Sequence, residues 1–352
     1  MICESGPNRR AVLGAGLGLA AAMSGCVGRG DLRIERLDFS DLNGWADADL
    51  APALPVFAAT SSIARANPHL GVETAHWASI AAEGSPRAVF EDQFAPVLVS
   101  EGSDAHFTGY YEPELRGSRT RSDRYSTPLY RRPADLSDAP YLTRSDIAAG
   151  ALDGKGLEFL WIDDAVEAFF LEIQGSGRVR LDDGSVVRVG FAGKNNHPYR
   201  AIGRLLVERG EMTVAEASAD GIRRWLRAQP DGGAALMNEN PSYVFFTERS
   251  DLAPDQGPVG AMGAPVTAGL SIAVDPAYHP LGAPIWVEAD APGFEARLMV
   301  AQDVGGAIKG PQRGDLFTGS GDEAGALAGS LRAFGRMVTL VPKAAAEGLA
   351  LS

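Results

Sequence analysis

Two neighbouring stretches decide how this chain is read: Ala301-Gln302-Asp303-Val304-Gly305-Gly306-Ala307-Ile308-Lys309-Gly310 and Gly314-Asp315-Leu316-Phe317-Thr318-Gly319. A third, Ala273-Val274-Asp275-Pro276 with Pro280-Leu281-Gly282 behind it, has the same texture. In each an aspartate stands at the end of an apolar run. Glycines beside Asp303 and Asp315 allow tight turns and leave room for a bulky molecule to approach the main chain. That is how a small barrel presents a carboxylate at its rim.

Outward from this region, residues 244–246, 270–274, 285–288 and 297–301 are short β candidates separated by Gly and Pro turns, as a small barrel requires. Upstream, His106 to Leu115 reads as a strand running into a loop, with a domain crossing near it. Between Ala168 and Gly193 the pattern predicts a hairpin, with Phe169-Phe170-Leu171-Glu172-Ile173-Gln174 and Val186-Val187-Arg188-Val189 flanking the turn Asp182-Asp183-Gly184. Residues 200–209 and 214–228 read as amphipathic helices, the second closed by Gln229-Pro230-Asp231-Gly232-Gly233. Before Ser100 only residues 50–67 and 86–94 have helical character. A length of 352 residues with 45% hydrophobic content supports a sizeable core and suggests two domains.

The first residues bear on compartment. Arg9 and Arg10 precede an uncharged Ala/Leu/Gly-rich run that closes on Met23-Ser24-Gly25-Cys26. The run is shorter than the roughly 20 residues that span a bilayer and reads as an export signal. Its end resembles the lipobox of bacterial lipoproteins, which would make Cys26 the lipidated residue. Val27 in place of aspartate then points to the outer membrane. The arginine pair leaves the Sec and Tat routes both open. Cys3 and Cys26 are the only cysteines, so the chain after them has no disulfide and no thiol nucleophile.

Composition excludes several classes of function. The net charge is −13 with no basic stripe, which argues against nucleic acid as a partner. Five scattered histidines without ligand spacing offer no metal site. Ser176 lacks a nucleophile elbow because Gln174 occupies the place of its first glycine. Neither a phosphate loop nor a dinucleotide fingerprint is present, so no cofactor is expected.

Taken in order, Phe107-Thr108-Gly109-Tyr110-Tyr111, Ile173-Gln174-Gly175-Ser176-Gly177, Ala192-Gly193-Lys194-Asn195-Asn196-His197, Asn240-Pro241-Ser242-Tyr243-Val244-Phe245-Phe246 and the three aspartate blocks resemble the membrane-bound lytic murein transglycosylase A family with its C-terminal three-aspartate (3D) domain. The resemblance runs from about Phe107 to Leu340. It implies a mainly β fold: a double-psi β-barrel, with an inserted second β-domain, a few helices and a glycan groove between the two. The implied division is a signal peptide at 1–26, barrel segments at 27–110 and 244–345, and an insert at 111–243. Peptidoglycan glycan strands would be the substrate, the outer membrane the anchor site, and cell-wall synthesis complexes possible partners.

The resemblance also implies that Asp315 is the catalytic acid/base, cleaving between N-acetylmuramic acid and N-acetylglucosamine. The muramic 6-hydroxyl then closes a 1,6-anhydro ring, so the second carboxylate of ordinary glycosidases is dispensable. Asp303 would support Asp315. Asp275, before Pro276, also suits a structural turn. Thr108, Tyr110, Tyr111, Gln174, Ser176, Lys194 and Asn195 are the candidate sugar contacts. Because neighbouring strand residues face opposite ways, Tyr110 and Tyr111 cannot both line one groove. Two rival readings stay open at this point: a non-catalytic peptidoglycan-binding lipoprotein, and a hydrolase pairing Asp303 with Asp315. An acid at Asp315 needs burial beside Leu316 and Phe317 to hold its proton, and an arginine clamp, with Arg313 the nearest candidate, would defeat it.

Overall fold

The computed structural model describes residues 32–349 apart from 215, 254–255 and 292–293. The expected leader, Cys3, Cys26 and Val27 lie outside the described residues.

The strands in chain order are β1 (Arg33–Arg36), β2 (Phe94–Ser100), β3 (Ala105–Glu112), β4 (Glu114–Ser118), β5 (Thr127–Tyr130), β6 (Glu158–Ile162), β7 (Ser176–Leu181), β8 (Val186–Lys194), β9 (Val244–Glu248), β10 (Ser271–Val274), β11 (Pro284–Asp290), β12 (Arg297–Asp303), β13 (Arg313–Ser320) and β14 (Arg332–Pro342). The α-helices are α1 (Ala53–Ser61), α2 (Thr74–Ala78), α3 (Pro86–Gln93), α4 (Arg144–Ala148), α5 (Ala165–Gln174), α6 (Ile202–Glu208), α7 (Ala219–Ala228), α8 (Ala234–Asn238), α9 (Gly321–Ser330) and α10 (Lys343–Ala346).

Strands β14, β11, β12, β10, β13 and β3 are hydrogen-bonded in that order, and β3 pairs back onto β14 to close a six-stranded barrel. Two of its pairings, β10 with β12 and β13 with β3, are parallel; the rest are antiparallel. Strands β2 and β1 extend the sheet outward from β14. Closure removes the exposed edges and wraps a core of Phe107, Ile272, Val274, Ile285, Met299, Leu316 and Leu340. The mainly β barrel with a second β-unit is the architecture the sequence implied.

The second unit is a six-stranded sheet in the order β5-β6-β4-β7-β8-β9. Strand β9 pairs with β8, Lys194 facing Val244, so this strand belongs to the second sheet rather than to the barrel expected to resume at residue 244. The chain crosses between units at Pro113 and returns after Glu248.

The expected hairpin is displaced by one element. Phe169–Gln174 is not a strand but the end of α5, and the hairpin is β7 with β8 around the Asp182-Asp183-Gly184 turn. Asp164 caps α5 by accepting from the amides of Val166 and Glu167, and Gly175 ends it with φ +77°. The helix is apolar nearly all round because it is covered on two sides: Ala168 and Leu171 join the sheet core, while Val166, Phe169, Phe170 and Ile173 pack with α6, α7 and α8. Ser218 caps helix α7, its hydroxyl accepting from the Gly221 amide, so the helix begins at Ala219 and is shorter than the expected 214–228.

Candidate active site

Four strands of the barrel place one residue each in a row. Asp303 on β12 stands opposite Ala273 on β10, Ala273 opposite Asp315 on β13, and Asp315 opposite Thr108 on β3. Paired positions share a face of the sheet, so the two aspartates and the threonine project together, separated only by a methyl group. The register that brings Asp303 into the row depends on a β-bulge: Ile272 pairs with Ala301, but Ala273 pairs with Asp303. The skipped residue, Gln302, is buried, and its side-chain oxygen accepts from the Ser271 hydroxyl.

Asp315 is 1% exposed and Thr108 6%. The Thr108 hydroxyl donates to Asp315 Oδ1 and itself accepts from Arg313 Nη2 at 2.7 Å. Arg313 therefore reaches Asp315 through a hydroxyl and makes no ion pair with it; its other hydrogen bonds go to the carbonyls of His106 and Gly314. Asp315 Oδ2 has no hydrogen-bond partner among the described residues. Burial raises the Asp315 pKa above the ordinary carboxylate value, against the opposing influence of the Arg313 charge and the Thr108 hydrogen bond.

Asp303 is held differently. Its Oδ1 accepts from the amides of Ala261, at 3.0 Å, and Val304, at 2.9 Å; its Oδ2 accepts from the Tyr110 hydroxyl at 3.0 Å. Burial pushes it up to about 6 despite those donors, with the Asp315 charge adding to the rise. Burial and the Asp303 carboxyl in turn hold the Tyr110 phenol well above its usual range, so it remains a donor. The Tyr110 ring lies 5.2 Å from that of Phe317. Asp275 acts locally: its carboxylate accepts from the amides of Ala277 and Gly310, with Lys309 3.8 Å away, which ties the β10 end to the loop before β13.

The remaining candidates divide. Tyr111 faces away from Tyr110 and, with Gln174, lines a cleft of about 810 Å³ between α9 and the helices α5 and α7. Its hydroxyl accepts from Arg223 at 3.3 Å. Gly109 shares that face; a Cβ there would lie 2.7 Å from the Cα of Ala328, so only glycine lets α9 sit on β3. Ser176 and Lys194 are partly exposed at the same end of the β7–β8 hairpin. Asn195 is a different matter. It is fully buried, its amide donates to the carbonyls of Leu142 and Pro241, and its oxygen accepts from the Tyr243 amide, which leaves no capacity for a sugar.

Sequence reasoning missed Glu112. This residue, 1% exposed, accepts from Arg178 and Arg188 of the second sheet and from the Ser320 hydroxyl at the end of β13. The same arginines also donate to the carbonyls of Gln256 and Ala253 on the return crossing, so both crossings meet at one carboxylate. Just after Gln256 that segment folds over the site: a Cβ at Gly257 would lie 2.9 Å from the Phe317 ring, and Ala261 supplies its amide to Asp303.

The family description "MltA specific insert domain" matches residues 106–247 and "3D domain" matches residues 270–341. Membrane-bound lytic murein transglycosylase A of Escherichia coli K12 is 37% identical over 254 residues, covering 68% of this chain and 67% of that protein. The chain belongs to the membrane-bound lytic murein transglycosylase A family. Another member, from Vibrio cholerae, is 36% identical over 241 residues, 66% of this chain and 64% of its own length. Among solved structures, the membrane-bound lytic murein transglycosylase from Agrobacterium tumefaciens superposes with a TM-score of 0.81 at 34% identity, covering 90% of this chain and 99% of that one. E. coli MltA with bound chitohexaose superposes with a TM-score of 0.68 at 28% identity, covering 96% and 99%. The two family matches fall on the second sheet with β3, and on the barrel strands that carry Asp303 and Asp315.

Proposed function

We propose that the chain is a peptidoglycan lytic transglycosylase in which Asp315 is the sole acid and base. The observation that carries the reading is a buried carboxyl whose pKa is raised by desolvation, with one oxygen anchored by Thr108 and the other without a partner among the described residues. Such a group holds its proton toward neutral pH and can offer it from the unanchored oxygen.

The steps balance around that one proton. Asp315 donates it to the glycosidic oxygen as the bond to the muramic C1 breaks, and C1 gains oxocarbenium character. The carboxylate left behind takes the proton of the same sugar's 6-hydroxyl, whose oxygen bonds to C1 and closes the 1,6-anhydro ring. No water is consumed. The Thr108 hydroxyl and Arg313 behind it stabilise the carboxylate between these two transfers. Asp303 fits a supporting role: three donors occupy its two oxygens, so it orients Tyr110 and the Ala261 loop instead of activating water.

A β-1,4-linked amino-sugar oligomer suits this reading, and chitohexaose is the ligand named with the similar E. coli structure. Relatives called membrane-bound fit export and lipid attachment at Cys26, with the enzyme at the periplasmic face of the outer membrane. Among the described residues no helix is long and apolar enough to cross a membrane. Cleavage of sacculi in ¹⁸O-labelled water tests the chemistry. Products free of the label support the intramolecular route, whereas label at the new sugar end indicates hydrolysis.

A further inference from the structure

The second unit contains a cavity of about 660 Å³ whose walls come wholly from residues 121–243, with no contribution from the barrel. Its floor is aromatic, built from Phe169, Tyr130 and Tyr243, the last two with ring centroids 6.3 Å apart. Beside them Arg144 and Glu172 pair through two hydrogen bonds of 2.9 Å, and Arg144 also donates to the carbonyls of Asn240 and Ser242, so this pair is satisfied within the protein.

The two phenols are not. Tyr130 is 5% exposed and Tyr243 9%, and neither hydroxyl has a hydrogen-bond partner among the described residues. Neither is among the polar atoms sealed from solvent, so both open on the cavity. Buried hydroxyls ordinarily find a partner. Here water is the partner of both, and a ligand's carbonyl oxygens can take its place. Glu158 stands opposite Tyr130 across the β5–β6 pairing, and Asp153 lies on the same wall. Burial, with the charges of these two carboxylates, pushes the Tyr130 phenol up to about 12, which keeps it a donor. At the rim Arg121 lies over the Trp161 ring, 5.3 Å from its centroid. Among the described residues Arg121, Asp153 and Glu158 take part in no ion pair.

We propose that this cavity is a second binding site, which takes the zwitterionic amino-acid end of a peptidoglycan stem peptide. Its ammonium group lies against Glu158 and Asp153, its carboxylate against Arg121, and its carbonyl oxygens accept from Tyr130 and Tyr243. The aliphatic part of a diamino acid covers Phe169 and Met237. A neutral sugar would shield three charges from water without supplying a counter-charge, which is costly, whereas a zwitterion pairs both signs at once. The cavity stands on its own geometry; the choice of ligand rests on the peptidoglycan reading above.

Calorimetric titration of the full chain with the free tripeptide L-Ala-D-Glu-diaminopimelate tests the site, alongside the same tripeptide acetylated on its side-chain amine and chitobiose. The expected result is saturable binding of the free tripeptide, weakened at least about 10-fold by acetylation and by the Tyr130→Phe/Glu158→Gln pair of substitutions. Arg121→Ala, an exposed change that leaves the floor intact, should weaken it severalfold and covers the case in which the double variant fails to fold. Asp315→Asn should bind the tripeptide as the unaltered chain does, so failure of the catalytic reading and failure of this site are separable. No saturable binding of the tripeptide, equal binding by all variants, or chitobiose binding that Arg121→Ala abolishes would each overturn the proposal.

Discussion

The Thr108 hydroxyl stands between Arg313 and Asp315, accepting from the guanidinium and donating to the carboxyl. Charge reaches the acid through one hydroxyl, so it remains an acid instead of half of an ion pair.

Thr108→Val removes that relay while keeping the shape. The lost hydrogen bond favoured ionised Asp315, so the pKa of the acid should rise further and the alkaline limb of the pH–rate profile should move to higher pH. The maximal rate should fall roughly 10-fold or more, because the carboxylate formed in mid-reaction loses a donor worth about 1.5–3 kcal/mol. An unmoved alkaline limb would argue that the profile reports another group.

Asp303 gives the fold a pH dependence of definite sign. Its folded pKa of about 6 lies above the ordinary 3.8, so the folded chain keeps a proton that the unfolded chain releases. That stability is fully present below about pH 4 and is lost as pH rises through about 6. Asp303→Asn should flatten this part of the stability curve, as read by denaturant unfolding between pH 4 and 7. A curve as steep as that of the unaltered chain would count against it.

Glu112→Gln leaves Arg178 and Arg188 facing each other without their shared carboxylate. Breaking a buried pair in this way costs about 3–5 kcal/mol. Because the node joins both crossings, unfolding should lose cooperativity, with the second sheet and the barrel separating into two transitions by calorimetry. A single transition at an unchanged temperature would remove Glu112 from this role.

Asn195→Ala should act on stability and not on substrate. Four backbone groups lose their partner, each costing about 1–3 kcal/mol where no water replaces it. KM for glycan measured on the folded protein should stay unchanged. A raised KM at equal stability would restore the sugar contact expected from sequence.

Asp303, Asp315 and Thr108 are legible as candidates because the blocks that carry the family resemblance contain them, Asp315 and Thr108 directly beside glycine; of the three only Asp303 closes its strand. What was lost is what depends on distant partners. Glu112 finds its arginines 66 and 76 residues away, and nothing in Tyr-Tyr-Glu-Pro announces them. Asn195 looked like a sugar ligand because an amide in a Gly-rich segment is chemically suited to one; its burial is a tertiary fact. The run Phe169–Gln174 was read with the wrong period, since a helix covered on two sides has no polar stripe to give it away. Asp164 before it and Gly175 after it are the cap signals that would have identified it.

The central claim is that one carboxyl, Asp315, does the work of both acid and base. Its most direct test is mass spectrometry of the muropeptides released from purified sacculi by the unaltered chain and by Asp315→Asn. Products about one water lighter than hydrolytic ones, absent with the folded Asn variant, are the expected result. Anhydro products from the variant at an undiminished rate, or reducing ends from the unaltered chain, would contradict it.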